Sequence, residues 1–156
     1  MRKPKLKYFV MDVDGTLTDG KIYMGNDGEL FKAFYIKDGC GIQHLLIPSG
    51  IIPVIMTGRK SEIVLRRCME LGITEVYQGL SDKLGKLLGM TYNLSEIAYI
   101  GDDINDLPCM KSVKAAGGIV GCPGDAAAEV KKLADYVSKY NGGKGAVRDF
   151  IEWIVG

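Results

Sequence analysis

The sequence predicts an α/β fold, with a Rossmann-like, mainly parallel sheet and helices on both of its faces. Short apolar segments alternate along the chain with longer segments of helical periodicity. Clusters of polar residues directly follow several apolar segments, which is typical of ligand sites at the carboxyl ends of parallel strands. The 156 residues include no linker, repeat or low-complexity stretch, so we expect a single domain over residues 1–156.

The first predicted elements are a strand and a hairpin. An apolar run over residues 8–11 predicts a buried parallel strand. Segments 21–24 and 30–34 then flank the tripeptide Asn26-Asp27-Gly28. Because this tripeptide favours a tight turn, the two segments are expected to form a β-hairpin.

The middle of the chain predicts two helix–strand units. A helix is expected over residues 39–48, followed by a strand over 51–56, where β-branched residues dominate. Apolar residues recur three or four positions apart over 61–71 and predict an amphipathic helix, and residues 73–77 predict a short strand.

The second half of the chain repeats the alternation. Its predicted segments are a helix over 81–90, a strand over 97–100, a helix over 104–111, a short strand beginning at 114–116, a helix over 124–132, a strand over 134–137 and a final amphipathic helix from 147 to 155. The short connections between strands and helices imply parallel pairing.

Composition excludes several classes of function. The net charge of +1 gives no basis for capture of nucleic acid or an anionic membrane, and no segment is long enough to cross a bilayer. Four cysteines without a C-x-x-C pair argue against a zinc cluster and favour a reducing, cytoplasmic compartment. The single histidine, His44, lies in an apolar stretch, so we expect the chemistry to depend on carboxylates, Lys and Thr.

Two carboxylates one residue apart end the first predicted strand. Asp12 and Asp14 are followed by Gly15 and Thr16. At the carboxyl end of a buried strand the pair can share one divalent cation. The alternative is a pair of surface turn residues, since Asp-Gly is also a common turn dipeptide.

Three further polar clusters favour a reactive site. Thr57-Gly58-Arg59 follows the strand over 51–56, Lys83 follows the strand over 73–77, and Gly101-Asp102-Asp103 follows the strand over 97–100. Carboxylates, a hydroxyl and an ammonium suit phosphoryl transfer, in which a hard cation such as Mg²⁺ offsets the repulsion between phosphate and carboxylate.

In this order the four clusters resemble the motifs of the haloacid dehalogenase (HAD) phosphatase superfamily. The resemblance implies that Asp12 is the nucleophile and Asp14 the general acid/base. It also implies that Mg²⁺ is bound by Asp12, the backbone carbonyl of Asp14 and Asp102. The phosphoryl group would be held by Thr57, Gly58 and Lys83, and the metal ligands would be supported from behind by Asp103, Asn105 and Asp106.

Many members of this superfamily have a cap domain, inserted between the Asp14 and Thr57 motifs or between Thr57 and Lys83. Here the first interval already holds the hairpin, a helix and a strand, and the second holds a helix and a strand. We therefore expect a capless domain whose open site needs a wall from a neighbouring subunit.

Four local sequences narrow the resemblance to the 3-deoxy-D-manno-octulosonate 8-phosphate (KDO 8-phosphate) phosphatases. They lie at residues 19–25, 34–39, 78–83 and 142–148. The resemblance implies a homotetramer that acts on a small sugar-acid phosphate. It also implies that the hairpin forms subunit contacts and that the glycine-rich segment near residue 142 reaches a neighbour's active site.

The carboxylate of such a substrate needs cationic partners. By position, the candidate substrate-binding residues are Lys37, Asp38, Gly39, Arg59, Arg67, Lys144 and Arg148. The family tends to have Arg where this chain has Lys37, Gln43 and Lys144, and Lys does not form the same bidentate contact. For the arginines at 59, 66 and 67, a solvated helix face is the alternative interpretation.

Three other functions remain open at this point. A nine-carbon acylneuraminate or KDN 9-phosphate could be the substrate instead of the eight-carbon sugar. The chain could be a non-catalytic oligomerisation module, although the retained motif residues argue against that. A receiver-like phosphoacceptor domain also uses Asp, Thr and Lys, but it does not explain paired aspartates at the end of the first strand.

Overall fold

The computed structural model describes residues 4–90 and 93–156. The strands of its main sheet are β1 (Tyr8–Met11), β4 (Ile52–Met56), β5 (Glu75–Tyr77), β6 (Ile97–Ile100), β7 (Ile119–Cys122) and β8 (Tyr136–Val137). These six strands are parallel and lie in the order β5-β4-β1-β6-β7-β8. The expected α/β architecture with a mainly parallel sheet is confirmed.

Within residues 4–90 and 93–156, six α-helices connect and cover the strands. They are α1 (Ile36–Gly41), α2 (Glu62–Leu71), α3 (Lys83–Gly89), α4 (Leu107–Ala115), α5 (Ala128–Leu133) and α6 (Ala146–Val155). The first of them continues through a π-helical turn over Ile42–Leu46 and a 3₁₀ turn over Ile47–Ser49. Within the described ranges, no helix has the length and apolar character needed to cross a membrane.

The sheet has a buried core on each face, because successive side chains of a strand point to opposite sides. Phe9 and Met11 of β1 belong to the core on the side of α1, α2 and α6. Val10, between them, belongs to the core on the side of α3, α4 and α5. With helices on both faces, the central strands are buried except at Tyr8 and Ile52, where β1 and β4 begin.

The two strands β2 (Tyr23–Gly25) and β3 (Gly28–Phe31) form the predicted hairpin, separate from the main sheet. They pair antiparallel, and Gly25 lies opposite Gly28 across a two-residue turn. Tyr23 stacks on Phe31 with ring centroids 4.3 Å apart. Met24 and Leu30 are 59% and 64% exposed, so this chain leaves part of the hairpin's apolar surface in water.

The prediction of a strand beginning at residues 114–116 is wrong. Lys114 and Ala115 end α4, and the strand β7 begins only at Ile119. Just past the end of α4, Gly117 has a φ of 97°, the left-handed conformation common after helix C-termini. The strand predicted in this region therefore starts later than expected. It contains Gly121, where a Cβ would press on the Phe150 ring at 2.7 Å, so the glycine is explained by a tertiary contact.

Several predicted boundaries also shift, most of all those of three helices. The helix expected over 39–48 begins earlier, at Ile36. Its first turn contains Asp38 and Gly39, and this dipeptide is typical of a turn, so the sequence alone does not indicate a helix there. The helix expected over 104–111 begins as a 3₁₀ turn over Ile104–Asp106 and continues as α4 to Ala115, past its predicted end. The helix expected from 124 begins at Ala128, after a turn in which Ala126 N donates to the Pro123 carbonyl.

Candidate active site

The carboxyl ends of β1, β4 and β6 lie side by side, because these three strands are neighbours in the sheet. They open onto one polar cleft, as expected for an open α/β sheet. The residues that line it are Asp12, Asp14, Gly20, Thr57, Gly58, Arg59, Asp102, Asp103 and Asn105. Residues from three of the four sequence motifs therefore line the cleft, and the fourth, Lys83, contacts Asp12 from behind it.

Lys83 joins the first and last motifs through its ammonium group. Its Nζ lies 3.0 Å from Asp12 Oδ1 and 2.9 Å from Asp106 Oδ1. Lys83 is the first residue of α3, and the preceding Asp82 caps this helix by accepting from the Gly85 N–H at 2.8 Å. Burial alone would lower the pKa of Lys83, but the Asp12 and Asp106 carboxylates outweigh burial and raise it. Lys83 therefore remains a cation.

Asp106 organises the loop after β6 from inside the protein. It is fully buried, and its Oδ1 accepts from the Tyr99 hydroxyl at 2.7 Å as well as from Lys83. Its Oδ2 accepts from the Asp102 N–H at 3.1 Å. Glycine is needed at 101, since a Cβ there would overlap the Asp106 side chain. Both oxygens of Asp106 are therefore engaged by the protein.

Asp103 and Asn105 occupy the outer side of this loop and are exposed. The Asp103 carboxylate accepts from the Ile104 N–H at 2.8 Å and so caps the short 3₁₀ turn. Asn105 lines the cleft. The sequence-based expectation that residues 103, 105 and 106 support the metal ligands stays a prediction, and the structure gives each of them a place next to Asp102.

Asp12, Asp102 and Asp106 form a compact acidic group, with one oxygen of each within 4.8 Å of the others. Burial, followed by the Asp106 charge, raises the pKa of Asp12 well above its usual range. Burial likewise raises the pKa of Asp102 to about 6. Crowded carboxylates with raised pKa values are what a divalent cation would stabilise in ionised form, and all available donors are the hard oxygens that Mg²⁺ prefers.

Asp14 differs from the other carboxylates because it is paired with a residue that sequence reasoning missed. The Lys32 ammonium, just after β3, donates to Asp14 Oδ1 at 2.6 Å and lies 3.0 Å from Glu29 Oε2. The Ser61 hydroxyl donates to Glu29 Oε1 at 2.7 Å. In the sequence, Lys32 and Glu29 look like ordinary polar residues of a hairpin, so nothing in the local pattern indicates that they lie beside Asp14.

Known phosphatases are similar in sequence to this chain over nearly its whole length. No protein-family model matches the chain. The KDO 8-phosphate phosphatase of Escherichia coli strain K12 is 42% identical over 154 residues, which is 96% of this chain and 79% of that protein. The corresponding Yersinia pestis phosphatase is 41% identical over 158 residues, which is 99% of this chain and 82% of that protein.

The chain belongs to the KDO 8-phosphate phosphatase family. Solved structures agree in fold: the Moraxella catarrhalis phosphatase, in complex with magnesium, phosphate and KDO, superposes with a TM-score of 0.87 at 44% identity and covers 97% of this chain and 86% of its own. The cobalt-bound Haemophilus influenzae phosphatase has a TM-score of 0.86 at 36% identity, and the match covers 96% of this chain and 87% of that one. A Legionella pneumophila HAD superfamily hydrolase has a TM-score of 0.84 at 38% identity, and the match covers 97% of this chain and 82% of that one.

Within this family member, the predicted substrate-binding residues lie in three different places. Arg59 lies in the cleft beside Asp12, with its side chain 48% exposed and its Nη2 4.0 Å from Glu29. Lys37, Lys144 and Arg148 line a separate surface groove between α1 and α6. The Arg148 guanidinium is engaged there by Glu152, at 2.7 Å from Nε.

Asp38, Gly39 and Arg67 lie in a third place, at the contact between α1 and α2. Asp38 is 1% exposed, and its Oδ1 accepts from the Arg148 N–H at 3.0 Å in the first turn of α6. A Cβ at Gly39 would overlap the Arg67 guanidinium and lie 2.9 Å from Leu71 Cδ2, so α1 and α2 approach closely at this point. Asp38 Oδ2 and Arg67 Nε are buried without a hydrogen-bond partner within the described residues.

The glycine-rich segment near residue 142 packs against the loop after β1 in its own chain, and its expected reach into a neighbour's active site stays a prediction. A Cβ on Gly142 would overlap the carbonyl oxygen of Gly15, and one on Gly143 would lie 2.6 Å from the Asp19 nitrogen. Gly143 N also donates to the Thr16 carbonyl at 3.2 Å. The segment therefore supports the loop that follows Asp12 and Asp14.

Proposed function

We propose that this protein is a Mg²⁺-dependent phosphatase that hydrolyses KDO 8-phosphate to KDO and phosphate. The single observation that carries the proposal is the buried Asp12 carboxylate at the end of β1, held 3.0 Å from the Lys83 ammonium in a group with Asp102. Relatives at 41–42% identity bear this enzyme's name, and one solved relative contains magnesium, phosphate and KDO.

In the first step an oxygen of Asp12 attacks the phosphorus atom, and the bond between phosphorus and the sugar oxygen breaks. Asp14 donates a proton to the departing sugar oxygen, which leaves as the alcohol. In the second step a water oxygen attacks the aspartyl-phosphate while Asp14 takes a proton from the water. The bond from phosphorus to Asp12 breaks, and phosphate is released with Asp12 regenerated.

The other residues of the site would bind the metal ion and the phosphoryl group. Mg²⁺ would be held by Asp12, the Asp14 backbone carbonyl and Asp102, and it would neutralise phosphate oxygens against the carboxylates. Asp106 is in the same acidic group, but its two oxygens already accept bonds from Lys83, Tyr99 and the backbone. Thr57 is 2% exposed, and its hydroxyl, the Gly58 N–H and Lys83 would bind the transferring phosphoryl group.

The active unit would be a homotetramer of a single capless domain spanning residues 1–156. Support comes from the open cleft, from the exposed hairpin and from the groove of Lys37, Lys144 and Arg148, which lies away from Asp12 in its own chain. In the assembly this groove would present its cations to the carboxylate of a substrate bound by a neighbour. A cytoplasmic location fits the four free cysteines.

The test is phosphate release from a panel of sugar-acid phosphates, with Mg²⁺ and with excess chelator. KDO 8-phosphate should give the highest kcat/KM, and chelator should abolish release. Asp12→Asn should lose at least about three orders of magnitude in kcat while its circular dichroism stays unchanged, because a carboxamide is no nucleophile. If the protein prefers a nine-carbon sugar-acid phosphate, the proposed mechanism stands but the proposed substrate is wrong. If Asp12→Asn remains active, Asp12 is not the nucleophile and the proposed mechanism is wrong.

A further inference from the structure

The hairpin contributes a buried cation to the cleft. The Lys32 side chain is only 2% exposed, and its ammonium is held between the carboxylates of Asp14 and Glu29 at 2.6 and 3.0 Å. Burying a lysine is costly unless its charge is paired. An ordinary hairpin lysine would extend into water, as the exposed Lys21 does at the start of the same segment.

Lys32 itself is held in place by a second set of contacts. Glu29 accepts a hydrogen bond from the Ser61 hydroxyl at 2.7 Å, and the Ser61 N–H donates to the Gln78 side chain at 2.8 Å. Ser61 immediately precedes α2, so Glu29 connects the hairpin to the main body of the fold. The Lys32 ammonium is therefore a fixed group.

Asp14 has few other restraints. Its side chain is 19% exposed at the cleft, and among residues 4–90 and 93–156 Lys32 is its only side-chain donor. A carboxylate on a loop can rotate about two side-chain bonds, and proton transfer requires a defined geometry. With Oδ1 bound to Lys32, Oδ2 is left as the oxygen that can exchange a proton with the reacting groups.

We propose that Lys32 is a positioning residue that fixes the Asp14 carboxylate for proton transfer. This inference rests on the proposed phosphatase activity and assigns no contact between Lys32 and the substrate. It makes the hairpin part of the catalytic apparatus of its own chain, in addition to any role in subunit contacts.

The main experiment compares two leaving groups in Lys32→Met. KDO 8-phosphate releases a poor alkoxide leaving group that needs a proton, whereas p-nitrophenyl phosphate releases a stable phenolate that does not. Loss of a positioned general acid should lower kcat/KM for KDO 8-phosphate about 30-fold or more, and for p-nitrophenyl phosphate less than about threefold. Lys21→Met, on the exposed lysine, is the matched control and should change neither value.

A double-mutant cycle shows whether Lys32 acts through Asp14. In an Asp14→Asn background, Lys32→Met should reduce kcat/KM by less than about twofold, because the group to be positioned is gone. Glu29→Gln/Lys32→Met provides a variant without an unpaired buried carboxylate at 29, in case Lys32→Met alone folds poorly. It should show the same selective loss with the alkyl phosphate.

Several results would overturn the inference. These are equal losses with both substrates, a rise in KM with kcat unchanged, or a full further loss in the Asp14→Asn background. Failure of the proposed function is a separate outcome, because wild-type protein would then release no phosphate from KDO 8-phosphate. If the wild type prefers another sugar-acid phosphate, that compound replaces KDO 8-phosphate and the comparison is unchanged.

Discussion

Replacing Asp38 by Asn should stabilise the protein at neutral pH. Asp38 is 1% exposed between α1, α2 and α6, and burial raises its pKa from 3.8 to about 6 against the opposing effects of the Arg148 N–H and the nearby guanidinium groups. Each pKa unit corresponds to about 1.36 kcal/mol, so ionised Asp38 costs the folded state about 3 kcal/mol. Asn resembles the protonated carboxyl and keeps an oxygen for the Arg148 N–H.

The sign of this effect depends on pH. A carboxyl whose pKa is higher in the folded state than in the unfolded state binds its proton more tightly when folded. The resulting stabilisation is complete below 3.8 and is lost as pH rises through about 6. The advantage of Asp38→Asn over wild type should therefore be near zero at the lowest pH, grow across this window and level off above it.

Urea unfolding of both proteins at several pH values between about 3.5 and 8 measures the difference directly. Asp27→Asn makes the same substitution in the exposed hairpin turn and is the matched control; its stability should stay within about 0.5 kcal/mol of wild type. The reasoning would be refuted if Asp38→Asn were less stable than wild type at pH 7.5. It would equally be refuted by a stability gain that stays constant across the pH range.

Three further predictions concern the site and its supports. Excess chelator should stop phosphate release and lower Tm, and Mg²⁺ should restore both, as calorimetry and a phosphate assay would show; an unchanged Tm and rate would contradict a metal at Asp12 and Asp102. Lys144→Ala and Arg148→Ala should raise KM for the sugar-acid phosphate more than for p-nitrophenyl phosphate, and light scattering should give a tetramer; a fully active monomer would exclude a shared site. Gly142→Ala should lower kcat and Tm because its Cβ would overlap the Gly15 carbonyl, whereas Gly89→Ala, with nothing within 4 Å, should lower neither.

The main sheet could largely be predicted from the sequence because its central strands are buried and therefore appear as short apolar segments between polar ones. β1, β4 and β6 lie between two layers of helices, so nearly every residue in them is apolar and each strand stands out from its surroundings. The strand β7 is different. Gly121 lies where the Phe150 ring approaches the backbone, and only the tertiary contact explains why a glycine belongs in that strand.

The residues of the cleft could be predicted for a related reason. Asp12 and Thr57 directly follow the ends of β1 and β4, and Asp102 follows β6 after one glycine, so the order of motifs along the chain becomes proximity at one edge of the sheet. Lys32 and Glu29 follow no such rule. Their position depends on how the hairpin folds back over Asp14, and no local pattern encodes that direction.

The charges at the centre of the site explain why a divalent ion fits there better than a monovalent one. The carboxylates of Asp12, Asp102 and Asp106 carry three negative charges when ionised, and the Lys83 ammonium offsets one of them. Two charges are left, mainly on the two aspartates whose pKa values are raised and which face the cleft. One divalent cation would balance them, and the same ion would then bring a phosphate dianion close to a nucleophile that otherwise repels it. In this arrangement Asp106 holds Lys83 in place and contributes negative charge, but it does not need to contact the metal.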